Sequence, residues 1–435
     1  MLLKNCAFIV TQDKNRKILR DFDILIEDGK IRKIAKNLDG GEKSCEKLDC
    51  RGKILLPSFV NAHTHLPMGL LRGYKDDLDL HSWLSEVWKA EAKMNDNEYY
   101  LGAKFACLEM IKSGTSAYLD MYFGNGHILK STVESGIRGY SGLALMDFED
   151  AEKRKKALNE ARSLAKMASK DKSGLFKPVL SPHSIYTCSK ELLLEAKKLA
   201  KEYNYLYTIH LSETRKEVYD CHKKYGKRPV EFLDDLGIID KHFVGFHSAW
   251  LTKGEISILG KRKASAIYCP VSNMKLATGG AFAYREMLES GVTIGLGTDG
   301  ACSNNSLNML SEMKTACLMQ KWLRWNACEM LAQNALDMAT INGAKILGLN
   351  SGSIEVGKNA DIVFFDKKHY SMLPGTDIVS NIAYSASREA ISELMVGGKF
   401  VMHDRKVLTL DEDKVKEEFE KDSNDLLKEG EKKHG

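Results

Sequence analysis

Eight short apolar runs recur through the middle of the chain, at residues 54–60, 116–121, 139–145, 176–181, 205–210, 242–248, 265–269 and 293–299. Most are followed by a helical pattern, with helix candidates at 97–112, 150–167, 190–203, 228–236 and 281–289. Alternating strand and helix signals require a parallel sheet with helices covering it, because parallel strands need long crossovers. Eight such units between residues 54 and 348 predict a closed (β/α)8 TIM barrel, which needs about 250 residues. An open doubly wound sheet is the competing arrangement of the same units.

The two ends of the chain read differently. Residues 8–10, 23–27 and 31–34 are strand candidates, the last two joined by the turn Asp28-Gly29. Residues 38–50 are polar and read as a surface loop. Residues 352–366 hold two short strand candidates around a turn, and 391–396 with 399–402 flank Gly397-Gly398 as a hairpin. Neither end alone offers enough face to bury. The expectation is a composite β-sandwich from residues 1–53 and 349–435 beside a barrel at 54–348. The charged stretch 411–435 reads as a solvated helix and frayed tail.

Composition excludes several classes. Of 435 residues, 43% are hydrophobic and 28% charged, a globular balance rather than a disordered one. No apolar run reaches the roughly 18 residues that span a bilayer, and the opening MLLKNCAFIV lacks the ordered parts of a signal peptide. The expected location is the cytoplasm, with no membrane partner. Net charge is only +5. The patch Lys153-Arg154-Lys155-Lys156 reads as a solvated helix face rather than a nucleic-acid groove. Ten cysteines form no CxxC pair and read as free thiols in a reducing compartment.

Barrel chemistry gathers where strands end. Run one leads into His63-Thr64-His65, and i, i+2 spacing on a strand points two imidazoles the same way. Run four leads into Ser181-Pro182-His183, run five ends in His210 before Leu211-Ser212-Glu213, and run six contains His247. Five of the twelve histidines thus sit at strand ends. Run eight ends in Asp299, a charge that is costly on an apolar strand unless it is paired or binds metal. Imidazoles with a carboxylate suit a borderline divalent ion such as zinc; iron, manganese and cobalt accept the same donors. His63, His65, His210 and Asp299 are the candidate ligands.

The motifs HTH at 63–65, PH at 182–183, HLSE at 210–213, FHSAW at 246–250, CPVSNMKL at 269–276 and GTDG at 297–300 resemble the amidohydrolase superfamily. The pattern is similar to its methylthioadenosine/S-adenosylhomocysteine deaminase family, which includes 5′-deoxyadenosine deaminases. The stretch GxIxxGxxADIVFFD at 352–366 resembles the small domain of those enzymes. The resemblance implies one divalent metal, usually zinc, on His63, His65, His210 and Asp299. Binuclear relatives carry a lysine at the end of strand four, but Lys177 lies at its start. It also implies hydrolysis of the adenine amino group, with water attacking C6. Glu213 would be the acid at N1, Asp299 and His247 would handle the water proton, Glu91 would hold ribose hydroxyls, and His183 would contact substrate. Lys89 stands where a proline is common in the family. Family members are commonly homo-oligomers.

The implied substrates are 5′-deoxyadenosine, 5′-methylthioadenosine, S-adenosylhomocysteine and adenosine, spent products of S-adenosylmethionine chemistry. A homocysteine carboxylate would want an arginine, with Arg72, Arg138 and Arg154 as candidates. A small 5′ group would want an apolar wall, with Met68, Leu70, Met121, Tyr122 and Phe123 as candidates. The alternatives are a guanine, cytosine or triazine aminohydrolase or dehalogenase of the same superfamily, and a noncatalytic scaffold barrel. Retention of every candidate ligand argues against the scaffold.

Overall fold

The computed structural model describes residues 1–38 and 46–431. Its centre is a ring of parallel strands: β1 (Phe59–Thr64), β2 (Thr115–Tyr122), β3 (Arg138–Leu145), β4 in two pieces (Phe176–Pro178 and Ser181–Pro182), β5 (Tyr207–Leu211), β6 (Phe243–His247), β7 (Ser265–Tyr268) and β8 (Thr293–Leu296). Strands β1 to β4 pair in sequence order, as do β5 to β8. The two pieces of β4 keep one register on β3, and between them Val179 N–H still donates to the Ser141 carbonyl (3.1 Å).

Hydrogen bonds close the two halves into a barrel. At one seam Leu180 donates its N–H to the Leu206 carbonyl (2.9 Å) and accepts from Thr208 N–H (2.8 Å). At the other, Asp299 N–H donates to the His63 carbonyl (2.9 Å), and the Asn61 amide exchanges bonds with Thr298 N–H and Oγ1. Gly297 lies so close to β1 that a Cβ there would stand 2.8 Å from His63 N. Val60, Leu119, Tyr140, Phe246 and Ile267 meet in one buried cluster. Only the inside of a closed barrel brings side chains of β1, β2, β3, β6 and β7 together.

Helices fill the connections. Three matter for the site: α1 (Leu80–Glu91) and α2 (Asp96–Lys112) between β1 and β2, and α3 (Arg215–Tyr225) after β5. Asp79 caps α1 by accepting from His81 and Ser82 N–H, and Asn95 with Glu98 forms a capping box on α2.

The chain ends build a small two-sheet unit. Leu2–Cys6, Phe22–Glu27, Lys30–Ala35 and Lys47–Asp49 form a four-stranded sheet; a seven-stranded sheet draws on both ends of the chain. Leu3, Ile24, Ile26, Leu55, Ile362 and Phe364 share its buried core. Asp28 and Gly29 turn the expected hairpin with positive φ (49° and 72°).

Several expectations need correction. The run at 54–60 is two strands: Lys53–Pro57 pairs antiparallel with Ile362–Asp366 in the small unit, and only Phe59 onward enters the barrel. Of the two strands expected at 352–366, only Ile362–Asp366 forms. The expected loop at 38–50 contains the strand Lys47–Asp49, and residues 39–45, with Cys45, lie outside the described residues. The C-terminal helix α4 (Glu412–Glu431) is docked rather than solvated on all sides. Val415 and Leu426 are buried, Phe419 stacks on Phe105 at 3.8 Å, and Ser423 Oγ donates to the Leu70 carbonyl. The last four residues of the expected tail are outside the described set. The nine described cysteines are free thiols, eight of them buried. Among the described residues no helix is long and apolar enough to cross a membrane.

Candidate active site

The C-terminal ends of the strands converge on a buried cluster of imidazoles and one carboxylate. His63 is the last but one residue of β1, with His65 just beyond the strand; His210 lies on β5, His247 ends β6, and Asp299 follows β8. Donor atoms of His63, His65 and Asp299 lie within 4.8 Å of one another, as do those of His63, His210 and His247. Asp299 Oδ1 is 3.3 Å from His63 Nε2 and 3.1 Å from His65 Nε2. Four non-glycine residues at these strand ends adopt positive φ: Ser212 (48°), His247 (63°), Ser248 (48°) and Asp299 (65°). Such strain concentrates where geometry serves chemistry.

The donor set fits a divalent cation. His65 Nδ1–H donates to the Met121 carbonyl (2.6 Å) and His210 Nδ1–H to the His183 carbonyl (2.8 Å). Each ring therefore turns an Nε2 lone pair inward, and the two Nε2 atoms stand 3.3 Å apart. Two facing lone pairs need a proton or a metal between them. Both ring nitrogens of fully buried His63 lack a hydrogen-bond partner, while the ring stacks on Phe246 at 3.8 Å. Against burial, which favours neutral imidazole, Asp299 raises His65 to about 9. Burial instead takes His63 down to about 3. Burial alone would raise Asp299, yet His63 and His65 hold it well below the usual carboxylate range. The Asp299 carboxylate and the inward-facing imidazole nitrogens are the donor types a divalent cation takes.

The expected ligands come together, and His247 joins them more closely than the motif reading implied. His247 Nε2 is 3.7 Å from Glu213 Oε1. Glu213 is buried, and burial with the nearby charges of Asp299 and Glu217 pushes its carboxyl well above the usual range. Asp299 and Glu213 are therefore pushed in opposite directions, the carboxylate favoured at one and the carboxylic acid at the other.

Other site residues were not singled out from the sequence. Ser272 (2.5 Å) and Ser303 (2.8 Å) donate hydroxyls to Asp299 Oδ2. The Asn273 amide lies 3.2 Å from His247 Nδ1. Buried Glu217 on α3 accepts the N–H groups of Ser212 and Glu213, each at 2.8 Å, fixing the turn that carries Glu213. Asp120 accepts from Leu66 N–H, Thr64 Oγ1 and Ser141 Oγ beneath the His65 turn. The available signal was CPVSNMKL itself, which places Ser272 and Asn273 directly after β7.

Above this floor lies a pocket lined by Trp83, Trp88, Glu91, Met121, Tyr122 and His183, with His65, Glu213 and Asp299 at its base. Glu91, the last residue of α1, is buried in its wall and accepts the Tyr122 hydroxyl at 2.5 Å. Burial pushes Glu91 up to about 7. His183 also lines it. Its Nδ1 is engaged by the Ser184 (3.1 Å) and Thr187 (3.0 Å) hydroxyls, which leaves Nε2 as the ring's remaining polar atom. Burial takes His183 down to about 3, so the ring is neutral.

Of the candidate apolar wall, Met68, Met121, Tyr122 and Phe123 line the pocket; Leu70 is buried in the core instead. Helix α1 supplies Trp83, Leu84 and Trp88, which the sequence reading did not place there, and Trp83 Nε1 is buried without a partner. The three candidate arginines are committed elsewhere. Arg72 pairs with Glu109, Arg138 with Asp361 (3.1 Å), and Arg154 with Asp147 (3.4 Å) and Ser189 Oγ (3.2 Å).

A parallel barrel with a buried imidazole–carboxylate cluster at its C-terminal mouth defines a metal-dependent hydrolase. A model of the Amidohydrolase family matches residues 54–401. The chain is 40% identical over 412 residues to 5-methylthioadenosine/S-adenosylhomocysteine deaminase of Pyrococcus abyssi, covering 94% of this chain and 96% of that one. It is 41% identical over 397 residues to 5′-deoxyadenosine deaminase of Methanobrevibacter smithii, covering 90% and 91%. A solved adenosine deaminase from Xanthomonas campestris with bound zinc superposes with TM-score 0.92 at 29% identity, over 98% of both chains. The chain belongs to the amidohydrolase superfamily and, within it, to the methylthioadenosine/S-adenosylhomocysteine and 5′-deoxyadenosine deaminase family.

Proposed function

We propose that this chain is a hydrolytic deaminase converting 5′-modified adenosines and water to the inosine analogues and ammonia. The observation that carries the reading is the pocket floor itself: the donor atoms of His63, His65 and Asp299, and those of His63, His210 and His247, lie within 4.8 Å of one another, and buried Glu213 stands 3.7 Å from His247 Nε2. His63, His65, His210 and Asp299 would hold one divalent cation per chain, zinc in the first instance. That cation supplies the Lewis acidity by which water becomes a nucleophile at neutral pH.

The chain's own residues do the rest. Glu213 donates its carboxyl proton to N1 of the adenine ring as water adds at C6. Asp299, steadied by Ser272 and Ser303, takes the water proton, and His247 orients that exchange. A proton then passes to the exocyclic amine, which leaves as ammonia. Glu91 receives ribose hydroxyls, and neutral His183 offers Nε2 to the base. Cytoplasmic residence, homo-oligomeric assembly and a functional boundary between the small unit and the barrel, moved from residue 54 to Phe59, belong to the same proposal.

The test is ammonia release by metal-loaded protein from 5′-deoxyadenosine, 5′-methylthioadenosine and adenosine beside free adenine, guanine and cytosine, with a chelated control. Chelator-sensitive turnover of the nucleosides is expected. Turnover confined to free bases would replace this reading with the base-aminohydrolase one and leave Glu91 without a ribose to hold.

A further inference from the structure

We infer that the pocket reads the 5′ end of its nucleoside as an uncharged, apolar group, so that 5′-deoxy and 5′-alkylthio adenosines are preferred over S-adenosylhomocysteine. The inference rests on the function proposed above and deepens it.

With N1 at Glu213 and ribose hydroxyls at Glu91, the 5′ substituent must run along the part of the pocket that remains. There the lining changes character. Every acidic side chain and every imidazole of the lining belongs to the floor or to Glu91, and the rest of the wall is Leu80, Trp83, Leu84, Trp88, Met146 and their neutral neighbours. Among the described residues that line the cavity there is no lysine or arginine. The homocysteine end is a zwitterion, and its carboxylate loses hydration on entry with no cation to replace it. A methyl or methylthio group loses nothing by the same transfer and gains contact with two indoles.

The cations of the neighbouring segments are paired, stacked on an aromatic ring or exposed, and none of the described ones lines the cavity. Arg154, on the helix after β3, is bound into Asp147 and Ser189 Oγ beneath the rim. Arg215 and Lys216, which open α3, are exposed and do not line the cavity. Phe148, half exposed just after β3, packs its ring edge-on to Trp88 of the lining at 6.4 Å, and Lys153 Nζ lies over the same ring at 5.8 Å. A cationic side chain at 148 would therefore be carried beside the Trp88 wall, where an aromatic face now stands.

The experiment compares kcat/KM of the metal-loaded full chain on 5′-deoxyadenosine, 5′-methylthioadenosine, 5′-propylthioadenosine and S-adenosylhomocysteine. The propylthio compound has the reach of the homocysteine chain without its charges. The expected result is that the three uncharged nucleosides fall within about tenfold of one another, with S-adenosylhomocysteine lower by about 30-fold or more. Phe148→Arg should raise the S-adenosylhomocysteine to 5′-deoxyadenosine ratio at least about tenfold; Phe148→Leu, run beside it, should leave that ratio unchanged. S-adenosylhomocysteine turned over as well as 5′-deoxyadenosine would overturn the inference, as would a propylthio compound as poor as S-adenosylhomocysteine, since length rather than charge would then decide. An unchanged ratio in a folded Phe148→Arg variant would contradict it at the rim. Failure of every nucleoside would instead dispose of the proposed function itself.

Discussion

The floor of the pocket and its wall are built by opposite means. The floor sits on the rigid ends of five parallel strands, where ionisable side chains are almost wholly buried and His65, His210 and Asp299 each have a further hydrogen bond fixing their orientation. The wall hangs on α1 and on the loops after β2, β3 and β4, and apart from Glu91 and His183 its side chains are apolar or aromatic and held by packing. Strand ends deliver the fixed geometry that proton transfer requires. Helices and loops can change residue without disturbing that geometry, so they are where one chemistry acquires its choice of substrate. Floor substitutions should therefore act on kcat and wall substitutions on KM and selectivity.

The largest expected effect follows from removing a ligand. His63→Ala should lose stoichiometric metal and with it turnover, down to the level of chelated protein; metal analysis and ammonia release check both. A variant retaining one tightly bound zinc would break the ligand assignment. Next comes Glu213→Gln, which should keep its metal and lose about 10²–10⁴-fold in kcat. Near-normal turnover would remove Glu213 from proton transfer. On the wall, Trp88→Ala should raise KM about tenfold or more while kcat stays within about threefold; a collapse of kcat at constant KM would erase the distinction between the two regions.

Glu217→Gln probes the seam between floor and support. Glutamine can accept only one of the two N–H groups that Glu217 now holds, so a loss of about tenfold in kcat with metal content intact is expected. A shift of the acidic or basic limb of its pH–rate profile would separate a positioning role from mere loss of folded protein.

The last prediction concerns stability rather than turnover. Fully buried Glu312 accepts from Asn304 Nδ2 at 2.6 Å. Burial pushes its carboxyl up to about 8, above the ordinary 4.5. Between those values the folded chain holds a proton that the unfolded chain has released. Folding stability from this group is therefore full below about pH 4.5 and is lost as pH rises toward 8, by about 1.4 kcal/mol per pH unit at most. Melting curves should show Glu312→Gln gaining on the parent protein from pH 5 to pH 8. A Tm difference independent of pH would contradict the assignment.

Legibility from sequence divides along the same line. His63, His65, His183, His210, His247 and Asp299 stand out because strand ends are marked by apolar runs, and a polar residue there has no ordinary explanation. The seam of the small unit was less legible, because Pro57 breaks a continuous apolar run into strands of two different sheets, which hydropathy alone does not show. Trp83, Leu84 and Trp88 were hidden for a related reason: on an amphipathic helix, a residue facing a pocket and one facing a core look alike. Glu217 and Asn273 were hidden because they act on backbone and ring atoms of other residues, a relation that exists only after folding. The C-terminal helix looked solvated because its charges outnumber the few apolar residues, Val415, Phe419 and Leu426, that dock it.

The most direct measurement is a metal titration of stripped protein, reading ammonia release from 5′-deoxyadenosine at each addition of zinc. The account predicts no turnover in the stripped protein, a linear rise, and a sharp break at one zinc per chain. Turnover that survives stripping, or a rise that continues to two equivalents, would contradict it.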